Sequence, residues 1–431
     1  MPQKLIDQTT IQPDGRPGDD AFTAFATCND NFEDAEQRLS ALEGGSSNIG
    51  QDVADLKTGL QQEQEIRLHA DDALGLRIDA EQVARQVLAE ALGARFIGKN
   101  YIINGDFRFQ LWQRAVSQAE LDTNFTPRYL AADRWYIASK ATKIGTGRQA
   151  FPPGQTEVPG NPRHYARFST NSGLTAESMG YFGQCIEGVG TFAGETVTLS
   201  FYARGNTSAK LGVAFVQHFG VGGSPDNGDI VAGAVNVTTA WTRFTVTLGI
   251  PSISGKTIGS ANDHLRLRFW MDAGANYAGI SGGLGFQTWY VDIANVQIER
   301  GSVATTFEYR PDALELALCQ RYYEKSYNLA SAPGTAERHG AFVSTLSTVY
   351  LFAAPKVSFV VPKRSIPAVA IYSTQDGAVA SYAENNAGGV HVTNRPAIVT
   401  YTSTTGFEIQ TNGSGQAGNI GRAHWTADAE L

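Results

Sequence analysis

Leu265-Arg266-Leu267-Arg268-Phe269 alternates apolar and charged residues one by one, and Thr196-Val197-Thr198-Leu199-Ser200-Phe201 repeats the pattern with hydroxyls in place of charges. A period of two places one face of a strand on a core and the other toward water. Working outward from these runs, the spacing predicts strands at 164–170, 180–188, 196–204, 211–218, 235–237, 242–250, 265–271 and 288–298. Gly- and Pro-rich loops separate them, among them Gly220-Val221-Gly222-Gly223-Ser224-Pro225-Asp226. No helical pattern intervenes, so parallel βαβ units are excluded, and about eight antiparallel strands suggest a jelly-roll sandwich over 98–311. A short helix is expected from Asp312 to about Ser326, followed by a smaller β domain that completes 312–431, with strands within 341–359 and at 368–373, 398–401 and 406–410.

Upstream of residue 98 the period changes. Phe32, Ala35, Leu39, Leu42, Ile49, Val53, Leu56 and Leu60 recur at spacings of three and four, and Leu74 and Leu88 keep the frame. Such a heptad seam predicts an α-helical coiled-coil stalk over 31–97, interrupted at Gly44-Gly45-Ser46-Ser47, because two adjacent glycines cost a helix about 2 kcal/mol relative to alanine. A narrow apolar stripe on a charged helix predicts burial against copies of the same chain; a helix packed on its own domain would carry a wider stripe. The heptads alone do not decide between dimer and trimer. Residues 1–30, polar and rich in Gly, Pro and Asp, read as an arm ordered by contact with another molecule. The fold expected is therefore mainly β: a coiled-coil stalk, an antiparallel jelly-roll sandwich and a smaller C-terminal β domain.

Composition narrows the function. The 431 residues, 42% hydrophobic, support buried cores over two to four domains. Gly is frequent, at 46 residues, and only 18% of residues are charged, which favours turns and short strands. Residues 31–97 hold thirteen acidic and six basic side chains, and 1–30 hold five and two, so 98–431 carries a net charge of only +2. No large cationic field exists for a nucleic-acid backbone. No apolar run is long enough to span a membrane, and the amino end lacks the apolar stretch of a secretory signal. Cys28, Cys185 and Cys319 are scattered and odd in number, consistent with synthesis in a reducing compartment.

Catalytic and metal motifs are weak. Gly279-Ile280-Ser281-Gly282-Gly283 fits G-x-S-x-G, but that motif needs a strand-to-helix turn and none is expected. Ser254-Gly255-Lys256-Thr257 resembles the end of a phosphate loop, yet the first glycine is displaced. Seven histidines form no metal-ligand cluster, and Asp226-Asn227-Gly228-Asp229 does not fit an EF-hand. No cofactor or metal is expected. Glu187, Asp272, Asp292 and Glu299 are carboxylates in the β region for which structural roles are expected. Trp135, Trp241, Trp270 and Trp289 read as core, while Phe219, Tyr277 and Tyr382, with His218, are candidates for stacking on or bonding to a sugar.

Several stretches resemble a known family. Gly18-Asp19-Asp20-Ala21-Phe22 with Asn29-Asp30-Asn31-Phe32 resembles the opening of tailed-bacteriophage fibre proteins. Asn100-Tyr101-Ile102-Ile103-Asn104-Gly105-Asp106-Phe107, Trp112-Gln113-Arg114 and Ala132-Asp133-Arg134-Trp135-Tyr136 are similar to phage tail proteins with a carbohydrate-binding-module-like jelly roll. The run from Asn295 to Pro311, then Cys319-Gln320-Arg321-Tyr322-Tyr323 and Trp425 to Leu431, resembles the junction and ending of such fibres, with Thr306 where the family often has Pro. The resemblance implies a homotrimeric, non-enzymatic virion appendage that is made in a bacterial cytoplasm. It would attach to other virion proteins through 1–30 and bind a host surface receptor, commonly a glycan, through its β domains. It also implies, in some members, a structural calcium that would involve Asp106 or Asp292. A polysaccharide-degrading spike and a structural adapter that binds no receptor are the alternatives; the repetitive β-helix usual in depolymerases has no counterpart in this sequence.

Overall fold

The computed structural model describes residues 10–11, 15, 18, 21–43, 49–93, 98–108 and 110–431. The chain divides into two compact units, Met1–Ala94 and Arg95–Leu431.

The first unit is a pair of helices, α1 (Ala21–Glu43) and α2 (Ile49–Gly93). Helix begins at Ala21, so the expected arm is shorter than 1–30. Most of residues 1–20, like the Gly44-Gly45-Ser46-Ser47 tetrad, lie outside the described residues. The two helices run antiparallel side by side. The Arg67 guanidinium lies 5.0 Å from the centre of the Phe32 ring. Arg38 and Ala41 line a hollow of about 250 Å³ with Asp52 and Asp55. The stripe is expected to find its burial against copies of the chain alone; instead α1 packs on α2 within one chain.

The buried layer between the helices is polar, made of Cys28, Asn31 and Glu63. Burial pushes the Glu63 carboxyl up against the opposing pull of Arg67. Of the seam residues, Phe32, Ala35, Leu56 and Leu74 are half-buried. Leu39, Val53 and Leu60 remain 51%, 40% and 46% exposed. The side chains of Leu42, Ile49 and Leu88 lie outside the described residues.

The second unit is built of antiparallel sheets. Its first eleven strands are β1 (Ser117–Leu121), β2 (Tyr136–Lys140), β3 (Thr142–Ala150), β4 (His164–Ser172), β5 (Met179–Glu187), β6 (Thr196–Gly205), β7 (Ala209–His218), β8 (Ile230–Val237), β9 (Thr242–Gly249), β10 (His264–Ala273) and β11 (Trp289–Arg300). They form a six-stranded sheet, β1-β3-β4-β11-β6-β9, and a five-stranded sheet, β2-β5-β10-β7-β8. The inward residues of β10, Leu265, Leu267, Phe269 and Met271, join one hydrophobic core with Phe168 of β4, Phe182 of β5 and Phe201 of β6. Phe168 and Phe182 stack at 3.8 Å and tie the two sheets together. Burying a phenylalanine side chain stabilises by roughly 1.5–3 kcal/mol, so this ring cluster fixes the register of every strand it touches.

The Asn100 and Asn295–Pro311 motifs close the sandwich. Asn100 Oδ1 accepts from the amides of Ile102 and Ile298, at 2.9 and 3.2 Å. Glu308 accepts from the amides of Gly98 and Asn100, and buried Arg310 donates to the Ile102 carbonyl at 3.1 Å and pairs with Glu315. The motif residues therefore lace the entering chain to the strand that leaves.

Two short helices, α3 (Ala278–Ser281) and α4 (Asp312–Gln320), flank the last sandwich strand. The remaining strands are β12 (Tyr323–Lys325), β13 (Phe342–Thr345), β14 (Leu351–Ser358), β15 (Ala368–Ser373), β16 (Ser381–Asn385), β17 (His391–Thr400), β18 (Gly406–Thr411) and β19 (Ile420–Asp428). They form one sheet organised on β19, which pairs with β12, β13, β15 and β16. Helix α4 stops before the expected Ser326 because Tyr323–Lys325 is taken up as a strand beside β19.

The chain ending is buried against the sandwich. Arg114 donates to Asp428 and Glu430 at 3.1 and 3.3 Å and lies 3.8 Å from the Tyr323 ring centre. Arg134 also pairs with Glu430, and the Tyr129 hydroxyl donates to the Leu431 carbonyl at 3.0 Å.

Candidate functional site: the outer face of the five-stranded sheet

The alternation that sends Leu265, Leu267 and Phe269 inward sends Arg266, Arg268 and Trp270 outward. Pairing sets their neighbours. Across β10, Trp270 faces Tyr181 and Gly212, Arg268 faces Gly183 and Ala214, Arg266 faces Cys185 and Val216, and His264 faces Glu187 and His218. Much of this face is itself covered: Tyr181, Cys185, Ala214 and Trp270 are buried in a second hydrophobic cluster, Gly212 lies beneath the Ser281 carbonyl, and Arg266 and Arg268 are half-buried. From the His264 row to the Trp270 row is six residues, roughly 20 Å.

Charge dominates one end. His218 and His264 stack at 4.7 Å, and His218 Nδ1 lies 2.7 Å from Asp226 Oδ1. Arg268 pairs with Asp229 at 2.8 Å and packs over the Tyr181 ring. Burial pushes the Asp229 carboxyl up despite that guanidinium. Burial would also raise the Cys185 thiol, but the His264 imidazole and the Arg266 charge, with hydrogen bonds to His264 and Tyr129, outweigh it and bring it down to about 6. Three buried donors on alternate residues of β10, Arg266 Nε, Arg268 Nε and Trp270 Nε1, have no acceptor among the described residues.

Aromatic surface dominates the other end. Tyr277 packs on Trp270 at 6.0 Å and meets Phe125 edge-on at 6.3 Å. Phe125 is 42% exposed, and its φ of 68° lies in the left-handed region that disfavours a side chain. The loop imposes this conformation: Asp122 accepts from the amides of Asn124 and Ala141, Thr123 bonds Ser139, and the Phe125 amide donates to the Ser139 carbonyl at 2.7 Å. Lys140 lies 4.6 Å from the Phe125 ring centre and pairs with Glu177 at 2.7 Å. A strained residue that holds a large apolar ring in the open is a mark of function rather than of folding.

His218 and Tyr277 of the sequence candidates thus fall on this face, at opposite ends. Phe219 and Tyr382 do not. Phe219 is fully buried, with Lys256 over its ring and its carbonyl accepting from the Gly259 amide, because the glycine-rich loop folds over it. Tyr382 is fully buried in the C-terminal core, 5.2 Å from Phe352. Neither presents a ring to a ligand, which corrects both assignments. Phe125, Lys140, Arg266 and Arg268 were not among the candidates; the outward phase of the Leu265–Phe269 alternation marks the two arginines.

The other singled-out residues have internal partners. Glu187 is held by Arg321 and Tyr322, which keep its carboxyl below its ordinary value against burial. Asp272 accepts from Thr142 and the Gln287 amide, and Glu299 from Thr305 and Gln297. Asp292 takes two guanidiniums, Arg167 and Arg204, and Asp106 takes Arg108, so the carboxylates named for a calcium are already matched by cations. Among the described residues no group of three or more His, Cys, Asp or Glu could hold a metal ion. Ser281 of the G-x-S-x-G string lies in α3, buried, with its hydroxyl on the Ala278 carbonyl.

No protein-family model matches the chain, and no curated protein does. Solved structures similar to it include a CBM4 structure at 19% identity, over 46% of this chain and 98% of that one, with a TM-score of 0.26. The enzymatically active domain of bacteriophage CBA120 tailspike protein 4 is similar at 14% identity, over 47% and 22%, with a TM-score of 0.28. A family 11 carbohydrate-binding module from Clostridium thermocellum, in complex with a beta-1,3-1,4-mixed-linked tetrasaccharide, is similar at 12% identity, over 44% and 99%, with a TM-score of 0.27. At such TM-scores none of these likenesses carries fold or function across to this chain.

Proposed function

We propose that the chain is a non-enzymatic receptor-binding fibre or spike of a tailed bacteriophage, which holds a host-surface glycan on the outer face of the β2-β5-β10-β7-β8 sheet. The observation that carries the binding reading is the exposed Phe125 ring set edge-on against half-buried Tyr277, on the same side of the sheet as the partly exposed His218–Asp226 pair. Aromatic faces stack on the apolar side of a pyranose, and planar charged groups bond its hydroxyls. The virion assignment rests on the sequence resemblance, with the arm at the amino end as the attachment segment.

Self-association as a homotrimer is part of the same proposal. The helix pair buries a polar layer and leaves Leu39, Val53, Leu60, Leu68 and Leu76 outside, the last two 68% and 72% exposed. Copies of the chain would bury that surface as a coiled coil and present several sandwiches together. Individually weak sugar contacts gain about 10²–10⁴ in avidity when linked.

The test uses the full chain on an array of purified bacterial surface polysaccharides, with its mass measured by light scattering. The expected result is a trimer that binds a subset of the polysaccharides and a Phe125→Ala/Tyr277→Ala variant that remains trimeric but binds none. A monomer at micromolar concentration overturns the assembly, and undiminished binding by the variant overturns the site.

A further inference from the structure

A second cavity, of about 560 Å³, opens at the edge of the sandwich, where the loop entering β4, the segment after the Asn100 motif and the chain leading to α4 converge. Its volume lies within the range of small-molecule sites. Tyr309 forms one wall and is 43% exposed. Its hydroxyl donates to the Pro159 carbonyl and accepts from Asn295 Nδ2, both at 2.8 Å, so both roles of that group are used. The ring lies on Gly160, where a Cβ would collide with it, and Gly160 holds a φ of 82°. Only the aromatic surface is left to offer, and it is held in place.

With Arg310 set aside, the lining holds two carboxylates and two guanidiniums, and its charges balance in sum but are unevenly paired. Arg108 is bracketed by Asp106 and Asp312, each at 2.6 Å. The Arg310 charge is taken by Glu315. Arg163, exposed at the rim beside His164, has no ion pair among the described residues. The ligand therefore needs a flat apolar face for Tyr309, hydroxyl donors for the Asp106 and Asp312 carboxylates, and a single negative charge for Arg163. A phosphate dianion carries more charge than one unpaired guanidinium matches and has no ring, whereas a uronic acid offers an apolar face, hydroxyl donors and a single negative charge.

We infer that this cavity is a second saccharide subsite, selective for a pyranose that bears a carboxylate, as in a uronic acid. It is separate from the five-stranded sheet's outer face and stands whether or not that face binds a glycan.

Ligand-observed NMR on the full chain, with D-glucuronate and D-glucose as probes, tests it. Glucuronate is expected to bind and glucose not, with Arg163→Ala weakening glucuronate by about fivefold, the worth of one exposed charge contact. Phe125→Ala is expected to leave glucuronate binding unchanged, which separates this subsite from the sheet face. Arg163 is exposed, so its truncation does not threaten the fold. Equal binding of glucose, indifference to Arg163→Ala or loss in Phe125→Ala would each overturn the subsite.

Discussion

The two outer faces of the sandwich use the same residue types and differ in what those residues still have to give. On the six-stranded sheet, Arg167 and Arg204 both direct Nε at Asp292, at 2.7 and 3.1 Å, and Arg167 stacks on Tyr290 at 3.7 Å. Arg204 also donates to the Tyr165 hydroxyl and lies over Trp241, whose own Nε1 is the donor left unpaired there. On the five-stranded sheet neither Arg266 nor Arg268 has an Nε partner among the described residues, and the Phe125 ring is exposed beside half-buried Tyr277. The first face is a closed network that stabilises the sheet. The second leaves buried donors unpaired and one aromatic ring, Phe125, in the open, so it is the less completed of the two networks.

The largest effect that would break this contrast comes from Asp292. It is fully buried and is the common acceptor of two guanidiniums. Asp292→Ala strands both charges, and the expected cost is about 3 kcal/mol, the low end for a broken buried pair because the arginines reach solvent. A urea unfolding curve checks it. Polysaccharide binding by the folded fraction should be unchanged. A loss below about 0.5 kcal/mol would place Asp292 among ordinary surface positions and undo the closed-network reading.

How much of this was legible depended on where the information resides. Alternation at Leu265–Phe269 is a local property, and it marked both the core side and the outward arginines. Strands β1 to β3 went unread because SQAEL and TKIGTGRQA carry few apolar residues; Ile144 of β3 alone among them enters the main core beside Ile137 of β2. The heptads marked the helices, but a carboxylate in their frame, Glu63, reads as a weakening of the seam, and only the folded pair shows it buried with Asn31. Phe219 looked like a loop tip, and only the folded loop shows it covered. Phe125 was invisible, since its exposure follows from a backbone angle that Asp122 and Ser139 impose from a distance.

That angle supplies a sharper test. Glycine at position 125 relieves the left-handed conformation, worth about 1 kcal/mol after its own entropic cost. Phe125→Gly should therefore raise the unfolding midpoint and remove polysaccharide binding in the same protein, a trade of stability for function. If Phe125 merely packs on Lys140 and Tyr277, the variant loses stability instead. Opposite signs distinguish the two readings without knowledge of the ligand.

The smallest effect concerns Cys185, which is buried and faces Arg266 across β10 and β5 on the side of the sheet away from the main core. Its thiol, at about 6 in the folded chain, lies below its ordinary value of about 8.5. Between those values the unfolded chain holds the proton that the folded one has released, so stability should rise with pH across that window and level off above it. The Cys185→Ser variant should lack this slope, and the ultraviolet absorbance of the thiolate should follow the same midpoint in the parent protein. His264→Ala should move the midpoint upward, because the imidazole contributes both charge and a hydrogen bond to the thiolate. On the six-stranded face the guanidiniums are already committed to Asp292, so no comparable slope should arise there. A midpoint at the ordinary thiol value would mean that Arg266 and His264 do not act together on this face, and the electrostatic half of the contrast would fail while the aromatic half stood.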